Sequence, residues 1–542
     1  MPELKGAQIV LEALLSQGVE TVFGYPGGTV LELYDALYSY SDKIKHIITA
    51  GEQGAAFAAD GYARASGKPG VVFATSGPGA TNLVTGIACS YMDSVPVVAI
   101  TGNVDLSDLG RDSFQEIDIT GITMPITKYN FIVKDVSVLA QTVKEAFSIA
   151  LSGRKGPVLI DIPKNIMAQL CDYSPQALQA TVKAPALPSP EETAAAAKLI
   201  DSAQKPLLYI GGGAVSADAS EALISFAEKL DIPVASSVMG LGAFPADNPL
   251  NLGFTGMHGS LRATRASEEC DVLIAAGVRF SDRAAVDRKS FASHARVIHI
   301  DIDPAEMDKN IFSEIHLCGN LAEILPLLTH QCRQTRHEAW INALQRDNQA
   351  QAKPLTAGYV NPEVFLGLLG TLTKPDTIVA TDVGQHQMWT AQYYKFRLPR
   401  TLLTSGGLGA MGYGMGAAIG ARLAKPDSDV ILITGDGSFL MNMNELATVS
   451  MLGMPLKIII FNNNALGMVR QWQATEYSGR FSQTIPERKT DYEKIAEAFG
   501  ADYIYIPDDS AAERLLPGFL SSDRAVIAEC KISSDEPVLN TK

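Results

Sequence analysis

An aspartate inside Gly435-Asp436-Gly437 is followed, one helix-length and one apolar run later, by the pair Asn462-Asn463. A carboxylate and an amide oxygen are hard donors of the kind Mg²⁺ takes, the rest of its octahedron being shared with phosphate and water. The glycines flanking Asp436 let backbone N–H groups come close to phosphate oxygens, and a helix opening near Ser438 would turn its positive end toward them. The chemistry that fits is a magnesium-bound diphosphate. Gly-Asp-Gly alone is a common strand-to-helix turn, so the asparagine pair carries the reading.

Those residues need a particular frame. Residues 430–434 and 456–461 are short, apolar and rich in β-branched side chains, and they predict buried parallel strands. Residues 439–452 predict the helix between them. Asp436 and Asn463 then share the edge outside the strands' carboxyl ends, where open α/β sheets bind ligands.

The same rhythm runs through the chain. Residues 1–172 alternate helix and strand, residues 190–335 form a second α/β unit around Gly211-Gly212-Gly213, and residues 355–535 form a third. The expected fold class is α/β: three doubly wound parallel-sheet domains, with the first and third related and the second between them. A Pro-rich linker at residues 173–190 and a polar stretch at residues 333–353 separate them. A chain of 542 residues is too long for one core.

Lys and Arg total 44 against 59 Asp and Glu, a formal −15, which argues against nucleic acid or an anionic membrane as partner. Anionic substrates must then be gripped by a few local cations. No apolar run approaches a membrane span, and the start lacks a signal-like segment, so a cytoplasmic protein is expected. The six cysteines show no paired spacing and read as reduced thiols without structural zinc.

Gly435-Asp436-Gly437 through Asn462-Asn463 resembles the thiamine diphosphate motif. The continuation Leu466-Gly467-Met468-Val469-Arg470-Gln471-Trp472-Gln473 resembles the acetohydroxyacid (acetolactate) synthase catalytic subunit in particular. Other motifs follow in that family's order: Tyr25-Pro26-Gly27-Gly28, Glu52-Gln53-Gly54 followed by Asp60-Gly61-Tyr62-Ala63-Arg64, and Ser76 to Asn82. The family usually has His before the glutamate; here the residue is Gly51.

The resemblance implies thiamine diphosphate, Mg and FAD as cofactors. Glu52 would activate the aminopyrimidine of a neighbouring subunit's cofactor, with Tyr25, Pro26, Gly27 and Asn82 beside the ring. Val383, Gln385, His386, Gly409, Met411, Gly437, Ser438 and Met468 would hold the rest of thiamine diphosphate, Met411 as the wedge that bends it. Asp436, Asn463 and Ala465 would bind the metal. FAD would lie on Gly211, Gly212, Gly213, Met257, His258, Arg279, Asp301 and Asn320. Ser281 and Asn320 stand where the family often has Asp. Phe114, Gln115 and Lys164 would serve the reaction, while Arg283 would hold the acceptor's carboxylate and Trp472 line its pocket. Read without the resemblance, Glu52 is a carboxylate at a helix N-terminus, Gln115 a solvated loop amide, Lys164 a surface lysine and Arg279 with Arg283 a salt-bridged loop.

The implied activity is decarboxylation of pyruvate and transfer of its two-carbon unit to a second pyruvate or to 2-oxobutyrate. The products, 2-acetolactate and 2-aceto-2-hydroxybutyrate, lead to valine, leucine and isoleucine. A homodimer or homotetramer with sites at the subunit interface is implied, and a regulatory small subunit is compatible with it. A pyruvate oxidase- or decarboxylase-like enzyme and a non-catalytic cofactor-binding paralogue are the alternatives.

Overall fold

Runs such as Gly70–Ala74, Val272–Ala276 and Val430–Gly435 are buried at every position, so alternation gives way to continuous hydrophobicity, the pattern of a parallel strand covered on both faces. In the computed structural model, which describes residues 3–174, 180–182, 185–286, 290–345 and 357–539, they are central strands of three six-stranded sheets, each wholly parallel. Parts of the expected linker and polar stretch fall outside the described residues.

The first sheet runs Lys45–Ile48, Thr21–Gly24, Gly70–Ala74, Val97–Asn103, Val158–Pro163, Tyr129–Ile132. The third runs Leu402–Leu403, Ile378–Thr381, Val430–Gly435, Lys457–Asn462, Val526–Lys531, Asp502–Ile506. Counted along the chain, both follow the order 2-1-3-4-6-5. The middle sheet runs Asn251–Phe254, Val234–Ser236, Pro206–Ile210, Val272–Ala276, Arg296–Asp301, Ile315–Cys318, the order 3-2-1-4-5-6 found in dinucleotide-binding sheets. Among the described residues no helix is long and apolar enough to cross a membrane.

Two local expectations are corrected. The helix expected over residues 439–452 opens earlier and is interrupted: Asp436–Asn442 is helical, Met443–Glu445 tightens into a 3-10 turn, and Leu446–Met451 resumes. The edge strands Tyr129–Ile132 and Leu402–Leu403 were not foreseen, because a short, partly exposed edge carries little hydrophobic pattern.

The first and third sheets are joined by one continuous core, centred where helix Glu52–Ser66 lies on helix Tyr413–Ala424. Glycines permit the approach. A Cβ on Gly416 would sit 2.7 Å from Phe57 Cβ, and one on Gly420 would strike the Ala58 carbonyl and come 2.7 Å from the Tyr62 nitrogen. A buried polar cluster fixes the register: Asp60 accepts from Tyr413 Oη at 2.6 Å and Ser90 Oγ at 2.8 Å, and Arg64 pairs with Asp60 at 2.6 Å and Asp93 at 2.9 Å. Because the Gly420 contact is backbone, it cannot give way by a side-chain rotation. Gly420→Val is expected to destabilise the fold by roughly 2–3 kcal/mol or more through overpacking, seen as a lowered thermal midpoint; an unchanged midpoint would refute this account of the packing.

Candidate active site

The carboxyl edge of the third sheet supplies half of a site. Strand Val430–Gly435 delivers Asp436, which is buried, and strand Lys457–Asn462 delivers Asn463 beside it. Burial pushes the Asp436 carboxyl up to about 6, with the Arg488 guanidinium, 3.4 Å away, pulling the other way. Asn463 Oδ1 accepts the Ala465 N–H at 3.0 Å, so these two stand on one tight turn. Gln385 opens helix Gln385–Tyr393, with its Oε1 3.1 Å from Asn463 Nδ2.

His386 is buried, and its surroundings hold the imidazole neutral, with its pKa lowered to about 3. Its Nε2 has no hydrogen-bond partner. Cβ atoms on Gly384 or Gly435 would both press on that ring, at 2.9 Å. An orphaned nitrogen among glycines, beside Asp436, is the lining of a polar ligand's seat.

The middle sheet reverses its strand order between Pro206–Ile210 and Val272–Ala276, and a crevice opens there. Gly211 and Gly213 follow the first of these strands and pack on Gly277, which follows the second; a Cβ on Gly213 would lie 2.6 Å from Gly277 Cα. Arg279, two residues on, donates to the Met92 carbonyl at 2.7 Å. Asp301 ends its strand with a carboxyl raised to about 6 by burial. Asn320 caps helix Leu321–Gln331, and Ser281 serves as a backbone turn residue.

These two regions are one cleft of about 950 Å³. Gly211 to Gly213, Met257, His258, Arg279, Asp301 and Asn320 line one end; Val383, Gln385, His386, Gly409, Met411, Asp436, Gly437, Ser438, Asn463, Ala465 and Met468 line the other. Arg283 and Trp472 line it too, with the guanidinium carbon 5.8 Å from the indole centroid. A cation over an indole face is an attractive pairing, and it leaves Arg283's side chain largely open to an incoming carboxylate.

The first domain's candidates form a second cluster. Asn82 Nδ2 donates to Glu52 Oε2 at 3.0 Å, and a Cβ on Gly79 would stand 3.2 Å from Glu52 Oε1. Gln115, in the left-handed region at φ 59, packs its backbone and Cβ on Gly77, in the same turn. Gly27 packs on Thr75, bringing the Tyr25-Pro26-Gly27 loop to this edge. Lys164 opens a short helix after strand Val158–Pro163 and pairs with Asp105 at 3.4 Å. Phe114 is 86% exposed and Tyr25 40%, large rings without cover.

None of Tyr25, Pro26, Gly27, Glu52, Asn82, Phe114, Gln115 or Lys164 lines the cleft that holds Asp436. Within a single chain the candidates therefore fall into two groups, one at the carboxyl edge of the first sheet and one lining the cleft. Gly51 has extended backbone, and a Cβ there would meet nothing within 4 Å, so no steric constraint explains the glycine in place of histidine.

Several contributors were missed. Arg488, in the charged run Pro486-Glu487-Arg488-Lys489, reads as solvent-facing, yet it reaches Asp436. Gln471 exchanges two hydrogen bonds of 2.9 Å with the Val538 backbone and accepts from Gln385 at 3.0 Å. Residues 533–539 thereby cross the helix Gly467–Glu476 and also reach Gln385, through the Glu536 carbonyl at 3.0 Å. No local pattern could reveal contacts so distant in sequence. Residues 473–484 continue the helix to Glu476 and then fold back, with Gln473 bonded to Ser482 and Thr484.

Three family models match the chain: thiamine pyrophosphate enzyme N-terminal TPP binding domain over residues 4–122, central domain over 193–328, and C-terminal TPP binding domain over 382–530. The chain is 46% identical over 540 residues to a probable acetolactate synthase large subunit of Methanocaldococcus jannaschii, covering 96% of this chain and 90% of that one. It is 44% identical over 535 residues to the acetolactate synthase isozyme 2 large subunit of Escherichia coli, covering 99% and 97%. It is 43% identical over 554 residues to the acetolactate synthase large subunit of Haemophilus influenzae, covering 99% and 96%.

Proposed function

We propose, from the premise that this chain belongs to the acetolactate synthase large-subunit family of thiamine pyrophosphate enzymes, that it joins the two-carbon remainder of pyruvate to a second 2-keto acid in branched-chain amino acid synthesis. The observation that carries this reading beyond thiamine chemistry in general is the Arg283 and Trp472 pair in the cleft, a carboxylate grip beside an apolar wall. A simple decarboxylase has no use for an acceptor site.

Thiamine diphosphate, when bound, supplies the electron sink for decarboxylation. The chain's own residues do the rest. His386 Nε2 and Gln385 are placed to meet the diphosphate, and Asp436, Asn463 and the Ala465 carbonyl would hold Mg²⁺. Among the described residues no three His, Cys, Asp or Glu side chains converge, so this is not an all-protein metal cage. Mg²⁺, which commonly completes its octahedron with substrate phosphates and water, suits such a sparse donor set. Met411 would serve as the wedge under the cofactor, and Val383, Gly409, Gly437, Ser438 and Met468, which line the same cleft, would help to hold it. FAD fits the Gly211, Gly213 and Gly277 crevice, with Arg279 and Asp301 at its rim. Condensing two pyruvates into acetolactate and CO₂ involves no net redox, so the flavin's part is to be present.

Glu52 would exchange a proton with the aminopyrimidine of a cofactor held by another copy, and Tyr25, Pro26, Gly27 and Asn82 would stand beside the ring. Phe114, Gln115 and Lys164 face the substrate there. The separation of the two groups and the bare Phe114 and Tyr25 rings support a homodimer or homotetramer in which one copy's first domain covers the other's cleft. Relatives are named as large subunits, and a smaller regulatory partner and a cytoplasmic location complete the proposal, with domain limits near 1–172, 190–335 and 355–535.

The test is a product assay by NMR: purified protein with thiamine diphosphate, Mg²⁺, pyruvate and 2-oxobutyrate, with and without FAD. Acetohydroxy acids that depend on FAD without oxygen uptake are expected; acetaldehyde, acetate or acetyl phosphate would discard the acceptor site. In the same assay, Trp472→Ala is expected to lower the preference for 2-oxobutyrate over pyruvate by roughly tenfold, since one methylene of apolar contact is worth about 1–3 kcal/mol. An unchanged product ratio would remove Trp472 from the acceptor pocket.

A further inference from the structure

Glu445 lines no part of the cleft, yet its side chain is wholly buried, at 0% exposure. It ends the 3-10 turn Met443–Glu445, directly after the helix that opens at Asp436. A carboxylate is not buried cheaply, and among the described residues no Lys, Arg or His pairs with it. Its partners are three donors instead. The Ala50 N–H donates to Oε2 at 3.1 Å, the Gly51 N–H to Oε1 at 3.2 Å, and the Thr448 hydroxyl to Oε2 at 2.7 Å.

Ala50 and Gly51 are the two residues that lead into Glu52. Gly51 is the N-cap of helix Glu52–Ser66 and gives it no side-chain cap. The third domain thus supplies from outside the anchor that this helix entrance lacks. The packing is built to admit it: a Cβ on Gly54, in the helix's first turn, would collide with the Glu445 carboxylate. On the opposite side of the same stretch, Thr49 Oγ1 donates to the Gly51 carbonyl at 2.8 Å. The backbone entering Glu52 is therefore held by its N–H groups from one domain and by its C=O group from the other.

We propose that Glu445 is the positioning residue for Glu52, setting where the Glu52 carboxyl stands by clamping the Ala50 and Gly51 amides. It touches neither substrate nor cofactor. The inference rests on the reading of Glu52 as the proton-handling carboxyl. Glutamine at 445 keeps the shape but turns an N–H₂ toward one of the two amides, so one bond becomes a clash of donors.

The experiment uses the full-length enzyme with thiamine diphosphate, Mg²⁺ and FAD, comparing wild type, Glu445→Gln, Glu52→Gln and the double variant. Because misplacing a reacting group by about an ångström can cost on the order of 100-fold, kcat of Glu445→Gln is expected to fall roughly 10–100-fold. The KM for pyruvate and the cofactor's dissociation constant should stay within about twofold, since Glu445 lies outside the cleft. Hydrogen exchange at Ala50 and Gly51 should accelerate. Near-ultraviolet circular dichroism should show less of the imino form of the bound aminopyrimidine. The double variant should be little worse than Glu52→Gln, because a residue that acts through Glu52 has nothing left to act on.

Wild-type kcat, wild-type protection of the two amides, or fully additive losses in the double variant would each overturn the proposal. If Glu445→Gln does not fold, Thr448→Val removes one of the three donors, and a fall of a few-fold in kcat at constant KM is expected; no fall would overturn it. Should Glu52→Gln itself turn over like wild type, the premise about Glu52 fails, and the proposal with it.

Discussion

Glu52→Gln is expected to lower turnover by roughly 10²–10⁴-fold, the usual weight of a positioned proton-transfer group, while thiamine diphosphate still binds. The separation of the two effects follows from geometry. Glu52 stands with Asn82 on the first domain's edge and lines no part of the cleft that carries Asp436, Gln385 and His386. On the proposed reading the diphosphate grip stays intact in the variant, and only the carboxyl assigned to the aminopyrimidine proton is lost. Isothermal titration of cofactor into Glu52→Gln, beside a pyruvate-consumption assay, separates the two. Turnover like wild type would sink the assignment of Glu52; loss of cofactor binding would mean that it grips as well as activates.

The second large effect is expected at Asp436. In the proposed donor set it is the one carboxylate, beside Asn463 and a backbone carbonyl, and it is buried. Even outer-shell partners of metal ligands are worth about 10–100-fold in affinity, so losing the charged ligand in Asp436→Ala should weaken Mg²⁺-dependent cofactor binding by at least ~100-fold. Wild-type affinity measured by titration in that variant would exclude Asp436 as the ligand.

A pH dependence follows with a definite sign. Burial raises the Asp436 carboxyl to about 6, and only the deprotonated form could serve as the proposed metal ligand. Metal must then displace a proton below that value and none above it. Cofactor affinity should be flat above about pH 7 and fall by roughly tenfold per unit below pH 6. A flat profile down to pH 5 would contradict the burial argument.

Much of this molecule was legible before folding, for identifiable reasons. Val430–Gly435 and Lys457–Asn462 were readable because strands covered on both faces must be apolar at every position, and a chain has few other causes for such runs. The places of Asp436 and Asn463 at that sheet's carboxyl edge were readable because each stands just past the end of its strand. Edge strands such as Tyr129–Ile132 were not, since only one neighbour constrains them. The helix after Asp436 tightens at Met443–Glu445, where the buried Glu445 carboxylate meets amides of another domain, a contact that no local helical preference encodes.

By itself the sequence determined the kinds of unit and part of the chemistry they could offer: three parallel α/β sheets, a carboxylate and an amide suited to a metal, and glycines suited to a phosphate, while Arg283 and Trp472 stood out only through the family resemblance. These are local properties, fixed by side-chain type and by periodicity along a strand or helix. The tertiary structure alone decided which of them share a space. It joined the middle and third domains in one cleft and brought Arg283 under Trp472. It kept Glu52 out of that cleft while tying the backbone before it to Glu445. Such pairings span hundreds of residues, and they follow from how buried surfaces and buried charges must be satisfied together, a condition imposed on the packed whole and written in no single segment.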